Sequence, residues 1–187
     1  MIKAAVLGAT GYTGSELVYI LSNHPNVEVV FLGSNSSKKF EIKDYHKDFS
    51  TSNLPNLKPY DEINLSNVEV VFTALPHNSS HKWIKENFKN TKIIDLSADF
   101  RLNSSKIYKQ NYMNDHSCPE LLNNFVYGLT EINNDLLINS KYIAVPGCYP
   151  TSILLPLIPI LKDDLIFPHN IIIDSKSGYS GAGKKFD

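Results

Sequence analysis

The sequence predicts an α/β fold built on an open, doubly wound and mostly parallel sheet, and two observations support that class. Apolar runs alternate with segments whose apolar residues recur at helical spacing, which is typical of βαβ units. The first apolar run, residues 2–7, leads into a glycine-rich string at residues 8–14 and then into a helical pattern at residues 16–22. A run that is apolar throughout indicates a strand buried on both faces of a parallel sheet.

The remaining elements follow from the same patterns. A second strand is predicted at residues 27–32, whereas residues 34–67 are polar and predict a loop with some short structure. Beyond them we expect strands at residues 68–75, 92–96, 142–145 and 171–174, and helices at residues 79–88, 108–112, 119–125 and 131–138. The apolar segment 153–161 contains Pro156 and Pro159, so a helix there is expected to be short, bent or broken.

The string between the first strand and the first helix predicts a dinucleotide site, although glycines also mark ordinary turns. Its spacing is GxxGxxG rather than the commoner GxGxxG. Gly8 would permit the tight turn, Gly11 would let the backbone approach a pyrophosphate, and Gly14 would allow close packing of helix on strand. From this string we expect the following residues to hold the cofactor: Gly8, Thr10, Gly11, Tyr12, Thr13 and Gly14.

The residues after the second strand predict which dinucleotide binds. An NAD site usually places Asp or Glu there to accept the ribose hydroxyls. Here no carboxylate occurs before Glu41, and the segment offers hydroxyls and lysines, among them Ser34, Ser36 and Lys38. This favours a 2′-phosphate and therefore NADP, and the alternative is a solvated loop without a binding role.

Cys148 is the candidate nucleophile. It follows a Pro-Gly turn at the end of a predicted strand, and Pro150 and Thr151 then open an apolar segment that looks helical. Unpaired N–H groups and the dipole at a helix amino end favour an anion, so we expect a reactive thiolate there. The alternative is a small buried hydrophobic side chain, the usual fate of a free cysteine.

Residues that follow the strands are expected to converge on one crevice, because ligands bind beyond the carboxyl ends of parallel strands. This group comprises Gly8, Ser34, Pro76, Ser97 and Cys148. His77 is a candidate for contact with cofactor or substrate, or else a surface histidine. Asp99 and Arg101 are expected to form a local structural pair, with an anionic substrate as the alternative partner of Arg101, and Cys118 is expected to be structural.

The composition argues against several function classes. Of 187 residues, 42% are hydrophobic and 20% charged, so a core can form. A net charge of -1 without a basic run argues against nucleic acid. No apolar stretch predicts a signal peptide or a membrane span, so we expect a cytoplasmic protein. The two cysteines have no metal-site spacing and suit a reducing compartment, with one disulfide as the alternative.

Five motifs in register closely resemble the N-acetyl-gamma-glutamyl-phosphate reductase family. Besides the first glycine string, they are Ala74-Leu75-Pro76-His77, Asp95-Leu96-Ser97-Ala98-Asp99-Phe100-Arg101, Pro146-Gly147-Cys148-Tyr149-Pro150-Thr151 and Ser177-Gly178-Tyr179-Ser180-Gly181-Ala182-Gly183. The resemblance runs from Ile2 to the last residue. The related aspartate-semialdehyde dehydrogenases share the plan but are not expected to show the Pro-Gly-Cys-Tyr-Pro-Thr string.

The resemblance implies an NADP-dependent oxidoreductase of arginine biosynthesis. In the family, the cysteine matching Cys148 attacks the acyl phosphate of N-acetylglutamyl 5-phosphate and orthophosphate leaves. NADPH then reduces the thioester to N-acetylglutamate 5-semialdehyde. Further implied cofactor contacts are Pro76, Ser177 and Gly178, the last two in a segment that suits anion binding or, alternatively, a mobile loop.

The resemblance also implies a domain plan. Residues 1–147 would form a Rossmann-like NADP-binding domain, and residues 148–187 the start of an α+β catalytic and dimerisation domain, in a protein that is a homo-oligomer at full length. The family's general acid/base histidine has no match here, so we expect an amino-terminal piece or truncated product with weak activity. Two alternatives remain open: an NADP-binding module without turnover, and a carrier-linked substrate analogue from lysine synthesis.

Overall fold

The computed structural model describes residues 1–35, 41–45, 53–88 and 91–183, and these contain one parallel sheet of seven strands. In chain order the strands are β1 Ile2–Leu7, β2 Val27–Gly33, β3 Leu57–Lys58, β4 Val70–Thr73, β5 Lys92–Asp95, β6 Val126–Tyr127 and β7 Tyr142–Ala144. Their order across the sheet is β3-β2-β1-β4-β5-β7-β6, and every adjacent pair is parallel. The predicted Rossmann-like, doubly wound sheet is confirmed.

Five α-helices in the described ranges connect or follow these strands: α1 Tyr12–Ser22, α2 Ser80–Asn87, α3 Ser105–Tyr112, α4 Thr130–Ile138 and α5 Cys148–Lys162. Helix α1 begins four residues earlier than its apolar pattern indicated, because the end of the glycine-rich string forms its first turn. The short helix predicted at residues 119–125 is a 3-10 helix, Pro119–Asn124. No helix in these ranges has the length and apolar character to cross a membrane.

The core lies on both faces of the sheet, as the continuous apolar runs predicted. In β1, Ala4 and Val6 pack in one cluster with Val18 of α1. The alternate residues Ala5 and Leu7 belong to a second cluster on the opposite face. Because successive side chains of a strand point to opposite faces, burying all four requires a layer on each side of the sheet.

Helix α5 corrects one expectation. A short, bent or broken helix was predicted around Pro156 and Pro159, and a single helix of 15 residues contains both. Each proline removes only its own N–H donor, and hydrogen bonds flank the pair, from Thr151 N to Gly147 O and from Asp163 N to Pro159 O. The helix is neither short nor broken, so these two of the three expected forms were wrong.

The strand predicted at residues 171–174 is also absent, since these residues carry no strand assignment and are exposed. Ile172 is 93% exposed. A strand forms only where its N–H and C=O groups find a neighbouring strand, and none of the described strands pairs with this segment. Apolar character alone was insufficient to predict it.

Candidate active site

The carboxyl ends of the parallel strands bring the predicted residues to one edge of the sheet. Gly8 follows β1, Ser34 follows β2, and Cys148 lies shortly after β7. In the sheet order, β7 is three strands from β1, which corresponds to about 14 Å at the usual strand spacing. The cysteine and the glycine-rich turn therefore belong to the same edge, separated by the ends of β4 and β5.

Two glycines of the string are required by the fold itself. Gly8 has a left-handed φ of 81°, and a Cβ there would lie 2.3 Å from the carbonyl oxygen of Ala74. A Cβ at Gly14 would lie 2.0 Å from the carbonyl oxygen of Gly8, so α1 packs closely on this turn. The roles predicted for Gly8 in the turn and Gly14 in helix packing agree with these contacts.

Gly11 differs from Gly8 and Gly14 because no close backbone contact requires a glycine at this position. A Cβ there would meet only the Gly8 carbonyl oxygen, at the ordinary contact distance of 3.4 Å. Gly11 is the N-cap of α1, and no capping side chain accepts a hydrogen bond from the first turn. The sparse contacts at Gly11 and the amino end of α1 together suit the binding of a phosphate.

Thr10 and Ser34 link the glycine-rich turn to the end of β2. Their hydroxyl oxygens are 3.1 Å apart, and the Ser34 N–H donates to Lys58 O at 2.9 Å. Ser34 is 5% exposed, whereas Tyr12 and Thr13 are exposed on the first turn of α1. Ser36 and Lys38 lie outside the described residues.

A cavity of about 920 Å³ continues from Ser34 toward α2. Lys58 and Tyr60 line it on one side, and Lys82 and Trp83 of α2 line it on the other. It offers aromatic and cationic side chains, together with the carboxylates of Asp61 and Glu86, beside the end of β2, where dinucleotide-binding folds hold the adenosine ribose. No local pattern in the sequence indicates Lys82 and Trp83 as binding residues, because only the fold brings α2 beside the end of β2.

The loop after β4 is fixed by Asp99, which lies in the loop after β5. The N–H of Asn78, whose φ is 66°, donates to Asp99 Oδ1 at 2.9 Å. The N–H of His81 in the first turn of α2 donates to Asp99 Oδ2 at 3.0 Å. The Tyr108 hydroxyl also donates to Oδ1 at 2.9 Å, and burial and the Asp99 charge raise the pKa of Tyr108.

His77 is exposed in the same loop, next to exposed Pro76. Its Nδ1 accepts a hydrogen bond from the backbone N–H of Ala98 at 2.9 Å. The neutral ring therefore carries its proton on Nε2. This hydrogen bond links the loop after β4 to the loop after β5, and the Nε2–H of His77 remains a donor.

Asp95 at the end of β5 forms a buried polar network. Its carboxylate accepts hydrogen bonds from the hydroxyls of Thr73 and Ser80, both at 2.6 Å, and of Ser97 at 2.7 Å. Burial raises the pKa of Asp95, and these hydroxyls oppose that shift. The sequence analysis gave Asp95 no role, although a carboxylate inside an apolar run indicated it.

Arg101 does not pair with Asp99, contrary to the sequence expectation. Its Nε donates to Val145 O at 2.7 Å and its Nη2 donates to Leu96 O at 2.9 Å. The oxygens of Asp99 are occupied by the donors described above. Asp99 and Arg101 therefore each have their own partners, and an anionic substrate as a further partner of Arg101 stays a prediction.

Cys148 is exposed and is the first residue of α5, with Gly147 as the N-cap. No capping side chain occupies the amino end of this helix. The alternative of a buried hydrophobic cysteine is therefore wrong for Cys148. Its sulfur lies at a helix amino end, where an anion is favoured.

Cys118 has the opposite environment. It is fully buried, its Sγ contacts the carbonyl oxygen of His81 at 3.4 Å, and burial raises its pKa to about 11. The neighbouring His116 is also buried, and burial lowers its pKa. Cys118 is free, so the two cysteines form no disulfide with each other.

Ser177 and Gly178 lie in the exposed segment beyond α5. A Cβ added at Gly178 would have no neighbour within 4 Å. Their predicted role in cofactor binding stays a prediction.

Two family comparisons cover most of the chain. Residues 3–140 match the semialdehyde dehydrogenase NAD binding domain, and residues 148–187 match the semialdehyde dehydrogenase dimerisation domain. Among solved structures, aspartate semialdehyde dehydrogenase II from Vibrio cholerae has a TM-score of 0.62 and 19% identity, over 87% of this chain and 47% of that one. Aspartate semialdehyde dehydrogenase with NADP from Candida albicans has a TM-score of 0.55 and 20% identity, over the same shares. These structures show a shared fold.

Curated relatives are more similar in sequence. N-acetyl-gamma-glutamyl-phosphate reductase of Ehrlichia chaffeensis is 46% identical over 98% of this chain and 53% of its own length. The probable chloroplastic N-acetyl-gamma-glutamyl-phosphate reductase of Oryza sativa is 44% identical over 98% of this chain and 44% of its own length. The chain thus spans about half the length of the curated relatives it matches. Its match to the NAD binding domain, together with the sheet and the glycine-rich turn, shows that the chain belongs to the semialdehyde dehydrogenase family.

Proposed function

We propose that this chain takes part in the NADPH-dependent reduction of N-acetylglutamyl 5-phosphate to N-acetylglutamate 5-semialdehyde, a step of arginine biosynthesis. The observation that carries the proposal is the exposed Cys148 at the amino end of α5, on the same sheet edge as the Gly8–Gly14 turn. The names of relatives 43–46% identical to it supply the substrate class.

The described residues fit a nicotinamide dinucleotide. The sparsely contacted Gly11 and the uncapped amino end of α1 would receive the pyrophosphate. Ser34 with Lys82, in the cavity at the end of β2, would receive a 2′-phosphate and so favour NADP. When bound, the reduced cofactor supplies a hydride for the acyl carbon.

The protein's own chemistry centres on the Cys148 sulfur. The thiolate attacks the acyl carbon, a sulfur–carbon bond forms, and the bond from that carbon to the phosphate oxygen breaks. Orthophosphate leaves with the bonding electron pair, and the acyl group remains on Cys148 as a thioester. The amino end of α5 favours both the thiolate and the departing anion.

The other parts of the proposal concern organisation. We place the boundary between the cofactor-binding part and the catalytic and dimerisation part at residues 147 and 148, where α5 begins. The dimerisation-domain match supports a homo-oligomer of the whole protein. A cytoplasmic location and a small acyl phosphate as the partner belong to the same proposal.

The test is acylation of Cys148. The chain is incubated with N-acetylglutamyl phosphate, and intact and peptide masses are measured beside Cys148→Ser. We expect one acyl group per chain on the Cys148 peptide, with one equivalent of phosphate released. Modification of Cys118, or equal phosphate release by Cys148→Ser, would contradict the proposal, and preference for a carrier-linked acyl phosphate would reassign the substrate.

A further inference from the structure

The side chain of Arg101 joins the ends of two strands beneath the Cys148 turn. Its Nε donates to the carbonyl oxygen of Val145, just after β7, at 2.7 Å. Its Nη2 donates to the carbonyl oxygen of Leu96, just after β5, at 2.9 Å. One guanidinium therefore ties the end of β5 to the backbone that leads into α5.

The third nitrogen lies against the residue that precedes Cys148. A Cβ added to Gly147 would lie 2.9 Å from Arg101 Nη1 and 3.5 Å from Cζ. Gly147 is the N-cap of α5 and has an ordinary φ of -71°, so its backbone conformation does not require glycine. A side chain at residue 147 would therefore require the guanidinium to shift from the place where its two hydrogen bonds hold it.

We propose that Arg101 is a positioning residue for Cys148, acting through the carbonyl groups of Leu96 and Val145 and through its contact with Gly147. The inference rests on the proposed role of Cys148 as nucleophile. The planar guanidinium can bond two carbonyls in fixed directions, which an ammonium group on a flexible stem does not reproduce. Arg101 thereby fixes the start of α5, so that the Cys148 sulfur stays at the helix amino end.

The partly buried environment of Arg101 agrees with a side chain fixed by hydrogen bonds rather than one that extends into solvent. Arg101 is only partly exposed, and so is Tyr127 at the end of β6. Burial raises the pKa of Tyr127, and the charge of Arg101 acts in the opposite direction. The guanidinium therefore lies among the ends of β5, β6 and β7.

The test measures the rate at which iodoacetamide modifies Cys148 across mildly acidic to alkaline pH. In the chain with Arg101→Gln or Arg101→Lys, we expect the rate at mildly acidic pH to fall about 10-fold and the profile to move to higher pH. Lys106→Gln is the matched control, because it removes an exposed cation from α3 and should leave the profile unchanged.

Cys118 reports in the same experiment whether a variant has unfolded. It is fully buried and should stay unmodified as long as the fold persists. Gly147→Ala should reproduce the loss, since the added Cβ displaces the guanidinium. Combining Gly147→Ala with Arg101→Gln should then add little to either change alone.

The outcomes separate this inference from the proposed function. Wild-type reactivity in Arg101→Gln overturns the positioning role, and wild-type reactivity in Arg101→Lys alone shows a charge effect and also overturns it. If Cys148 in the unchanged chain resists acylation, the proposed function fails, whatever the arginine variants show. If an arginine variant unfolds and exposes Cys118, the Gly147→Ala variant provides the test instead. A wild-type rate of Cys148 modification in Gly147→Ala, with Cys118 still protected, would contradict the inference.

Discussion

The sheet that ends at β7 and the segment that begins at Cys148 have similar apolar content but opposite burial. Ile93 in β5 is fully buried, whereas Ile172 is 93% exposed, and α5 has no buried residue. The sheet residues are enclosed by helices on both faces, whereas the described residues beyond β7 form α5, the 3-10 helix Tyr179–Ala182 and exposed backbone between them. The contrast shows that an apolar run becomes a strand only where a neighbouring strand and covering layers are present.

The largest expected effect on stability comes from truncating an isoleucine in the sheet, the first region, compared with the same truncation in the segment that begins at Cys148, the second region. Ile93→Ala should lower the free energy of unfolding by about 2–5 kcal/mol, because it leaves a cavity in a closed cluster. Ile172→Ala should change it by less than about 0.5 kcal/mol. Denaturant unfolding of both variants measures the two values, and equal losses would show that residues 171–174 are packed.

A smaller difference is expected between two glycines. Gly8→Ala adds a Cβ 2.3 Å from a backbone oxygen at a positive φ, so it should destabilise the fold by about 1–3 kcal/mol. Gly178→Ala meets no atom within 4 Å at an ordinary φ of -68°, and we expect it to stabilise the fold by about 0.4–1 kcal/mol. Thermal and denaturant unfolding should show a loss of stability for Gly8→Ala and a small gain for Gly178→Ala. Unchanged stability of Gly8→Ala would contradict the tight turn at Gly8.

The smallest effect is a pH dependence confined to the first region. Burial lowers the pKa of His116 below its ordinary 6.5, so the unfolded chain binds its proton more readily than the folded chain does. Stability is therefore full above that ordinary value and declines as the pH falls below it, by at most about 1.4 kcal/mol per pH unit.

Replacing His116 with Gln should remove this part of the dependence. The difference between the two stability curves, measured from neutral to mildly acidic pH, isolates the histidine from the carboxylates. Parallel curves would mean that His116 gains no proton when the chain unfolds.

The sequence supported the first region better than the second for a physical reason. Continuous apolar runs and the Gly8–Gly14 spacing are local features, and they predicted β1, α1 and the turn between them. Two partners of Asp95, Thr73 and Ser80, come from β4 and α2, and Arg101 bonds carbonyls after two strands, so neither arrangement follows from local pattern. The continuity of α5 through Pro156 and Pro159 was likewise missed, because helix propensity rules weigh each proline alone.

We infer that the Cys148 sulfur and a dinucleotide held at the Gly8–Gly14 turn meet at one sheet edge. Its most direct measurement is the rate of Cys148 alkylation with and without saturating NADPH, in the unchanged chain and in Gly11→Val. We expect NADPH to slow alkylation of Cys148 in the unchanged chain and not in Gly11→Val, while Cys118 stays protected in both. An alkylation rate that bound NADPH leaves unchanged in the unaltered chain would contradict it.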